Sequence, residues 1–211
     1  MTIPQLIAKN PEGLLGRAYR FSENAHKGQT RKEGEPYFTH CLETAEILSR
    51  WNMDEATLAA GLLHDAIEDT PATLDEIRRE FGEEAASLVD GVTKLGHISA
   101  EGRSASGGKY RGEAAKAENM RKLILALSQD LRVFFVKLAD RCHNMRTLSA
   151  LPREKQRRIS LETHEIYAPL AYRLGMHEIA GELHDLAFPH LYPKEDAWIK
   201  ENLAEEYESR E

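Results

Sequence analysis

Four ionisable residues stand close together in an otherwise apolar stretch of the chain. They are His64, Asp65, Glu68 and Asp69, within the segment 62–70. Charged groups beside apolar residues cost free energy unless a metal ion or a catalytic role compensates. In a helix of about 3.6 residues per turn, residues 64 and 68, and likewise 65 and 69, are neighbours, so we expect all four side chains in one sector of a single helix. This cluster of imidazole and carboxylate groups predicts a metal site with acid–base groups beside it.

Two further residues, His40 and Asp140, are candidate ligands because each adjoins an apolar run. Two imidazoles and two carboxylates without a thiolate suit Mn²⁺, Fe²⁺, Co²⁺ or Mg²⁺-like chemistry better than structural zinc. Such an ion keeps open positions for a water and a phosphate oxygen, and it acidifies the water. Glu68 and Asp69 are then candidates to orient or deprotonate that water. The competing interpretation is a solvated surface helix, the usual place for aspartate and glutamate.

A polar stripe runs along the helix predicted around Asp140. Lys137, Asp140, Asn144 and Thr147 follow a spacing that places them on one helix face, whereas the flanking positions are apolar. A buried polar stripe needs partners, and a cation together with a phosphorylated ligand supplies them. For Asn144 and Thr147 alone, an internal hydrogen-bond network explains the pattern equally well.

A basic pair, Arg31-Lys32, lies nine residues before His40 in a polar segment, 27–36, that is rich in turn-forming residues. Adjacent guanidinium and ammonium groups suit a phosphorylated nucleotide. An exposed basic pair is the ordinary alternative, but the position just upstream of a candidate metal ligand favours binding.

The composition limits the classes of function. The chain has 211 residues and a formal net charge of −7, which argues against a general nucleic-acid binder. It contains no long apolar stretch and no signal-peptide pattern, so we expect no membrane partner. Two cysteines fit a reducing cytoplasm, where we expect the protein to act. The sequence does not indicate an oligomeric state.

Helical periodicity dominates and period-two alternation is missing, which predicts an all-α fold. The predicted helices cover 12–26, 39–51, 54–67, 73–81, 83–95, 113–128, 131–149, 153–173, 176–188 and 194–207. The segment Gly96–Gly112, rich in glycine and serine, is predicted to be a loop. That loop either closes over substrate phosphates or is a passive surface insertion.

Several segments together closely resemble the hydrolase domain of the RelA/SpoT homologue family, whose members degrade guanosine tetra- and pentaphosphate. The matching segments are 31–40, 61–70, 92–95, 117–122, 136–148 and 166–176. The resemblance covers roughly residues 14–193. It implies an HD-domain helical bundle of about ten helices around a single metal site.

The resemblance also implies roles for individual residues. The Mn²⁺ ligands it implies are His40, His64, Asp65 and Asp140, and the water-activating pair is Glu68 and Asp69. The nucleotide contacts it implies are Arg31, Lys32, Asn144, Thr147 and Tyr167.

The resemblance further implies one hydrolase domain over 1–193, with 194–211 as its C-terminal helix. Long members of the family continue into a synthetase domain, and the 18 residues after Pro193 are too few for one. We therefore expect a stand-alone small alarmone hydrolase without a synthetase domain. The expected reaction is Mn²⁺-dependent removal of the 3′-diphosphate from a small hyperphosphorylated nucleotide, with guanosine tetra- and pentaphosphate (ppGpp and pppGpp) as the leading substrates. Adenosine alarmones or NADPH acted on by the same fold are alternatives. A catalytically silent alarmone-binding protein is a further alternative.

Overall fold

The computed structural model of the chain describes the backbone of residues 1–101 and 129–208, and the side-chain environment of 1–96 and 129–203. The described chain divides into two compact units, Met1–Asp140 and Arg141–Glu211. Within the described ranges the regular structure is helical, and the only β pairing is an isolated bridge between Thr30 and Pro36. The prediction of an all-α fold is therefore confirmed. None of the described helices is long and apolar enough to cross a membrane.

The first unit is built around α4, a helix with almost no polar face. The helices of this unit are α1 (Ile3–Lys9), α2 (Leu14–Ala25), α3 (Tyr37–Arg50), α4 (Glu55–Leu63), α5 (Ala66–Asp69), α6 (Leu74–Glu101) and the first part of α7 (Leu131–Arg146). Every residue from Thr57 to Leu63 is buried, because α2, α3 and α6 all pack against α4. A helix that is apolar on all sides must be covered on all sides.

Gly61 allows α4 to approach α3 closely. A Cβ atom at this position would lie 2.6 Å from Leu48 Cδ1 and 3.3 Å from the Ala45 Cα atom. Leu48 is itself fully buried, so it has little room to move away. The close approach matters for the site described below because α3 carries His40 and α4 leads into His64.

Two glycine-to-alanine substitutions are expected to change stability in opposite directions. Gly61→Ala overpacks the contact between α3 and α4 and should lower the free energy of unfolding by about 1–3 kcal/mol. Gly181 lies in an exposed helical position, and a methyl group added there would have nothing within 4 Å. Gly181→Ala should raise that free energy by about 0.5–1 kcal/mol, since alanine loses less backbone entropy than glycine. Urea unfolding of both variants measures the signs, and equal shifts would contradict the close-contact account.

The predicted helix 54–67 is interrupted in the structure. Asp54 caps its start as expected, because its carboxylate accepts the Thr57 N–H at 2.9 Å. The helix ends at Leu63, His64 and Asp65 form a turn, and α5 begins at Ala66. The prediction of one uninterrupted helix was therefore wrong.

A local hydrogen bond explains the interruption. The imidazole Nδ1 of His64 lies 2.9 Å from the Gly61 carbonyl oxygen, which in a continuous helix accepts the N–H of Asp65. The ψ angle of Asp65 is −3°, so the backbone tightens at this point. His64 and Asp65 consequently lie in the turn, while Glu68 and Asp69 lie on α5, rather than all four on one regular helix face.

The structure places helix where the sequence predicted two helices and a loop. Predicted helices 73–81 and 83–95 correspond to α6, which is broken at Gly82, where φ is +87°. The segment 96–101 was predicted as the start of a loop, but it continues α6 to Glu101. Nothing in 97–101 forces the helix to stop, because the glycines and serines that define the loop pattern mostly follow. The rest of the predicted loop, 102–112, and the predicted helix 113–128 lie outside the described residues.

A short N-terminal helix was missed by the sequence analysis. Helix α1 spans only Ile3–Lys9 and starts with a capping box in which Thr2 and Gln5 exchange hydrogen bonds. Its position is fixed by tertiary contacts, since Ile3 is fully buried and its N–H donates to Glu46 Oε1 at 2.7 Å. Seven residues are too few for a helical periodicity to be recognised.

The polar segment before α3 is a loop, as predicted. The Arg31 N–H donates to the Glu35 carbonyl at 2.8 Å, and the Gly34 N–H donates to the Arg31 carbonyl. Gly34 has a φ of +89°, which permits this tight reversal. The loop therefore has a defined backbone that leads directly into α3.

The second unit contains helices of the C-terminal part of the chain. They are the end of α7, a 3₁₀ turn at Leu148–Ala150, α8 (Arg153–Glu162), a π-helical turn at Thr163–Tyr167, α9 (Ala168–Arg173), α10 (His177–Leu191) and α11 (Pro193–Glu208). Predicted helices 153–173, 176–188 and 194–207 are recovered, the first with the π turn inside it. Helix α10 packs against α8, α9 and α11.

A pair of histidines in the second unit is expected to make its stability depend on pH. The Nδ1 atoms of His164 and His184 lie 3.0 Å apart. Burial, together with the charge of His164, lowers the pKa of His184 below its ordinary value of 6.5. At His184 the unfolded chain therefore takes up a proton more readily than the folded chain. The contribution of His184 to the free energy of unfolding thus falls as the pH drops below about 6.5 and recovers above it.

Urea unfolding at several values between about pH 5 and pH 8 measures this effect. His184→Gln should flatten the dependence of the unfolding free energy on pH, whereas the exposed His177→Gln serves as a control that keeps the wild-type slope. Identical slopes for the wild type and His184→Gln would contradict the prediction.

Candidate active site

Four predicted ligand side chains meet in the first unit. His40 comes from the first turn of α3, His64 and Asp65 come from the turn between α4 and α5, and Asp140 comes from α7. The His40 Nε2 atom lies 3.4 Å from Asp65 Oδ2 and 3.2 Å from Asp140 Oδ1. The His64 Nε2 atom lies 3.2 Å from Asp65 Oδ2 and 4.0 Å from Asp140 Oδ1. The structure thus brings together residues that are far apart in the chain.

The donor atoms fit a divalent cation. A cation about 2.1 Å from each donor holds neighbouring donors about 3.0–3.5 Å apart, and three of the four distances lie in that range. His64 is fully buried, and its Nε2 atom has no hydrogen-bond partner among the described residues. A buried nitrogen without a hydrogen bond needs an explanation, and an ion bound between it and the Asp65 carboxylate supplies one. His40, His64 and Asp65 together form a compact set of ligand atoms.

Neighbouring groups orient these donors. The His64 Nδ1 atom is held by the Gly61 carbonyl at 2.9 Å, which assigns the proton to Nδ1 and leaves the Nε2 lone pair for a metal. The Lys137 ammonium lies 2.7 Å from Asp140 Oδ2, so the other oxygen, Oδ1, faces His40. Lys137 is on the polar stripe predicted from the sequence, but its contact with Asp140 was not predicted.

The electrostatics of the cluster keep its carboxylates charged. Burial raises the pKa of Asp65, but the positive charge of protonated His64 and the hydrogen bond with His40 offset burial and hold it well below the usual range. Burial also raises the pKa of Asp140, and the Lys137 ammonium together with His40 outweighs it, so the net shift is downward. Burial lowers the pKa of His64, whereas Asp65 raises it to about 9 overall. His64 would hold a divalent cation through Nε2 only in its deprotonated form, as is general for imidazole ligands.

The predicted water-activating pair lies on α5, directly after Asp65. Both Glu68 and Asp69 are exposed. The Glu68 carboxylate lies beside Gly96 of α6, where an added Cβ would be 3.1 Å from Oε1. The Asp69 Oδ2 atom accepts a hydrogen bond from the Tyr37 hydroxyl at 2.7 Å. The pair is therefore accessible to a substrate and adjoins the ligand cluster through Asp65.

Tyr37 is a site residue that the sequence analysis missed. Its hydroxyl lies 2.8 Å from Asp65 Oδ2 as well as 2.7 Å from Asp69 Oδ2. Burial, followed by the charge of Asp65, raises the pKa of Tyr37, so the phenol keeps its proton. The one available signal was its position three residues before His40, which places both on the same face of α3.

Arg31 and Lys32 lie in the loop that precedes α3. The Arg31 side chain is largely covered, and its Nε atom is 3.7 Å from Glu33 Oε2. Lys32 is exposed. Both basic side chains thus belong to the first unit, and the backbone of Arg31 is fixed by its hydrogen bonds with Glu35 and Gly34.

The other predicted nucleotide contacts belong to the second unit. Asn144 and Thr147 are half-buried at the end of α7, and the Thr147 hydroxyl donates to the His143 carbonyl at 3.2 Å. Tyr167 is only 3% exposed, and the Arg141 guanidinium lies 4.3 Å from the centre of its ring. Little of the Tyr167 ring is therefore open to a nucleotide base in this conformation.

Comparisons with known proteins show the family to which the chain belongs. The sequence profile of a family described as an HD domain matches residues 18–177. A GTP pyrophosphokinase of Streptomyces coelicolor is 53% identical over 180 residues, covering 85% of this chain and 20% of its own. The bifunctional (p)ppGpp synthase/hydrolase SpoT of Escherichia coli K12 is 50% identical over 188 residues, covering 89% of this chain and 25% of its own. The chain thus spans about a fifth to a quarter of the length of these relatives.

A solved structure also resembles the fold. It was reported as a metazoan orthologue of SpoT that hydrolyses ppGpp and plays a role in starvation responses. The two are 25% identical with a TM-score of 0.53, covering 84% of this chain and 86% of the other. With a profile match over most of its length and SpoT among its homologues, this chain belongs to the HD-domain family.

Proposed function

We propose that the chain is an Mn²⁺-dependent phosphohydrolase that removes the 3′-diphosphate of ppGpp and pppGpp and releases pyrophosphate. The observation that carries this proposal is the meeting of His40, His64, Asp65 and Asp140 within about 4 Å, with two exposed carboxylates directly beyond Asp65. Two of the four candidate ligands are carboxylates, and a concentration of negative charge of this kind favours a divalent cation.

The names of the relatives support the substrate. The E. coli K12 relative is named a (p)ppGpp synthase/hydrolase, and the metazoan structure is described as hydrolysing ppGpp. Other relatives are named GTP pyrophosphokinase, and the chain covers 20% to 25% of their length and 25% of the SpoT relative, so the share covered does not separate the two activities. We assign hydrolysis rather than synthesis to the matched region, because its cluster of metal ligands and carboxylates suits the activation of water.

The chemistry follows from the groups present. A cation held by His40, His64, Asp65 and Asp140 would polarise the phosphoryl oxygens and lower the pKa of a water molecule. Glu68 and Asp69 orient this water and accept its proton, as general bases do. The water oxygen forms a bond to the phosphorus while the bond from phosphorus to the 3′ oxygen breaks. The 3′ oxygen takes up a proton, so a nucleotide with a free 3′-hydroxyl and pyrophosphate leave.

The remaining predicted site residues are proposed to bind the nucleotide. Arg31 and Lys32 supply positive charge for its phosphates, a role that suits a guanidinium and an ammonium group. Asn144, Thr147 and Tyr167 are proposed as further contacts. A small phosphorylated nucleotide, rather than nucleic acid, fits the negative net charge of the chain, and the two cysteines favour a cytoplasmic location.

A substrate panel tests the proposal. The purified chain with Mn²⁺ is incubated with ppGpp, pppGpp, the corresponding adenosine nucleotides and NADPH, and the products are separated by anion exchange and identified by ³¹P NMR. We expect pyrophosphate with GDP from ppGpp and with GTP from pppGpp. Turnover confined to the adenosine nucleotides or to NADPH would contradict the guanosine assignment. Binding of ppGpp without any turnover would contradict the hydrolase and favour a silent sensor.

A further inference from the structure

The Tyr37 hydroxyl is shared by two carboxylates that the proposed reaction uses differently. It lies 2.8 Å from Asp65 Oδ2, a metal ligand in the proposed site, and 2.7 Å from Asp69 Oδ2, one of the proposed bases. A phenol has one proton to donate, so the hydroxyl cannot donate a full hydrogen bond to both oxygens at once. Both oxygens are nevertheless held within hydrogen-bond distance of the same atom.

The Tyr37 ring is itself fixed by two histidines. It stacks on His26, with ring centres 4.8 Å apart and planes 16° from parallel. It also meets the His40 ring edge-on at 5.9 Å. Because Tyr37 begins α3 and His40 follows one turn later, the same helix positions the hydroxyl and a metal ligand.

A second chain of hydrogen bonds holds the backbone of Asp69. The His26 Nδ1 atom lies 2.8 Å from the Gln29 side-chain oxygen, and the Gln29 amide nitrogen donates to the Asp69 carbonyl at 2.7 Å. The Tyr37 N–H donates to the Gln29 carbonyl at 3.0 Å. Gln29 is thereby fixed at both ends, and Asp69 is held through its carbonyl by Gln29 and through its carboxylate by Tyr37.

Helix α5 needs such external support. It contains only four residues, Ala66–Asp69, and is followed by extended backbone at Thr70. A helix of one turn has little stability of its own, since the first turn costs more entropy than its hydrogen bond returns. The direction of the exposed Asp69 carboxylate is therefore set by contacts with other segments.

We propose that Tyr37, supported by Gln29 and His26, is a positioning residue. Its hydroxyl holds the Asp69 carboxylate at a fixed position relative to Asp65, the proposed metal ligand. This inference rests on the proposed function, in which Asp69 acts on a water beside the cation. Tyr37 acts through Asp69 and does not contact the reacting atoms.

The substitution Tyr37→Phe removes the hydroxyl and keeps the ring on His26. We expect kcat for ppGpp to fall about tenfold to hundredfold, with KM and bound Mn²⁺ unchanged, because a small misplacement of a catalytic group is costly. Tyr19→Phe is the matched control, since the Tyr19 ring packs against Phe38 and its hydroxyl makes no hydrogen bond within the described chain. This control should keep the wild-type kcat. Loss of Mn²⁺ from Tyr37→Phe, or an unchanged kcat, would overturn the inference.

A double-mutant cycle separates action through Asp69 from action elsewhere. If Tyr37 works through Asp69, the double variant with Tyr37→Phe and Asp69→Asn should be no slower than Asp69→Asn alone. If the loss of kcat in the double variant equals the product of the losses in the two single variants, the inference is overturned.

Hydrogen exchange gives a readout that does not depend on activity. The amides of 66–70 should exchange faster in Tyr37→Phe and in Gln29→Ala than in Tyr19→Phe. Equal exchange in all three variants would overturn the positioning role. A wild-type chain that hydrolyses no nucleotide would contradict the proposed function alone, because the exchange result stands independently.

Discussion

Replacement of Asp65 by asparagine is expected to abolish hydrolysis and to release the bound metal. The substitution keeps the size of the side chain and leaves an oxygen that can accept from Tyr37, so packing is preserved. It removes the negative charge that lies 3.2 Å from His64 Nε2 and 3.4 Å from His40 Nε2. Without that carboxylate the site has one anionic ligand instead of two, and the attraction for a divalent cation falls accordingly.

His64→Ala should have the same two effects. It removes a fully buried ligand and also leaves a cavity, so a loss of stability of about 2–5 kcal/mol is expected as well. Metal content per folded chain, measured after circular dichroism has confirmed the helical fold, separates the loss of a ligand from unfolding.

Asp75→Asn is the matched control for Asp65→Asn. The Asp75 side chain is 92% exposed and pairs with Arg78 on the surface of α6. Its removal should leave metal content and turnover at wild-type levels, since exposed ion pairs contribute little. Full metal content together with full activity in Asp65→Asn would show that Asp65 is not a ligand.

The second large effect is expected from the carboxylate pair on α5. Glu68→Gln and Asp69→Asn preserve the size of each side chain and one acceptor oxygen but remove the ability to take up a proton. We expect each variant to lose on the order of 10²-fold in kcat, the usual contribution of a general base. Both residues are exposed, so the variants should unfold at nearly the wild-type urea concentration.

The metal content of these two variants distinguishes bases from ligands. If Glu68 and Asp69 activate water, both variants keep wild-type Mn²⁺ despite their low kcat. Loss of Mn²⁺ in both would assign these carboxylates to the ligand set instead, and unchanged kcat in both would remove them from the reaction.

Part of the site chemistry could be expected from sequence because its residue types are unusual in their surroundings. His64 and Asp65 occur in an apolar stretch, and His40 and Asp140 each adjoin another, which made all four candidates. The complete ligand set was implied by the resemblance to the RelA/SpoT homologue family. The helical fold class was accessible for a similar reason, since most helices are long enough to show their periodicity.

The local backbone geometry and the side-chain contacts of the site could not be predicted from the sequence. The hydrophobic pattern of 54–67 is continuous, and the break at His64 arises from a hydrogen bond between its imidazole and Gly61. The role of Tyr37 depends on contacts with residues 28 and 32 positions away, which no periodicity records. Helix α1 was not predicted because it is short and owes its stability to the tertiary packing of Ile3, which the sequence pattern does not show.

Removal and return of the metal tests the central claim most directly. The purified chain is stripped with a chelator, freed of it, and assayed for pyrophosphate release from ppGpp before and after Mn²⁺ is added back. We expect no turnover in the stripped protein, recovery that saturates at one Mn²⁺ per chain, and a rise in Tm on reloading, because a ligand that binds only the folded state stabilises it. Hydrolysis by the stripped chain at the rate of the reloaded chain would contradict the account.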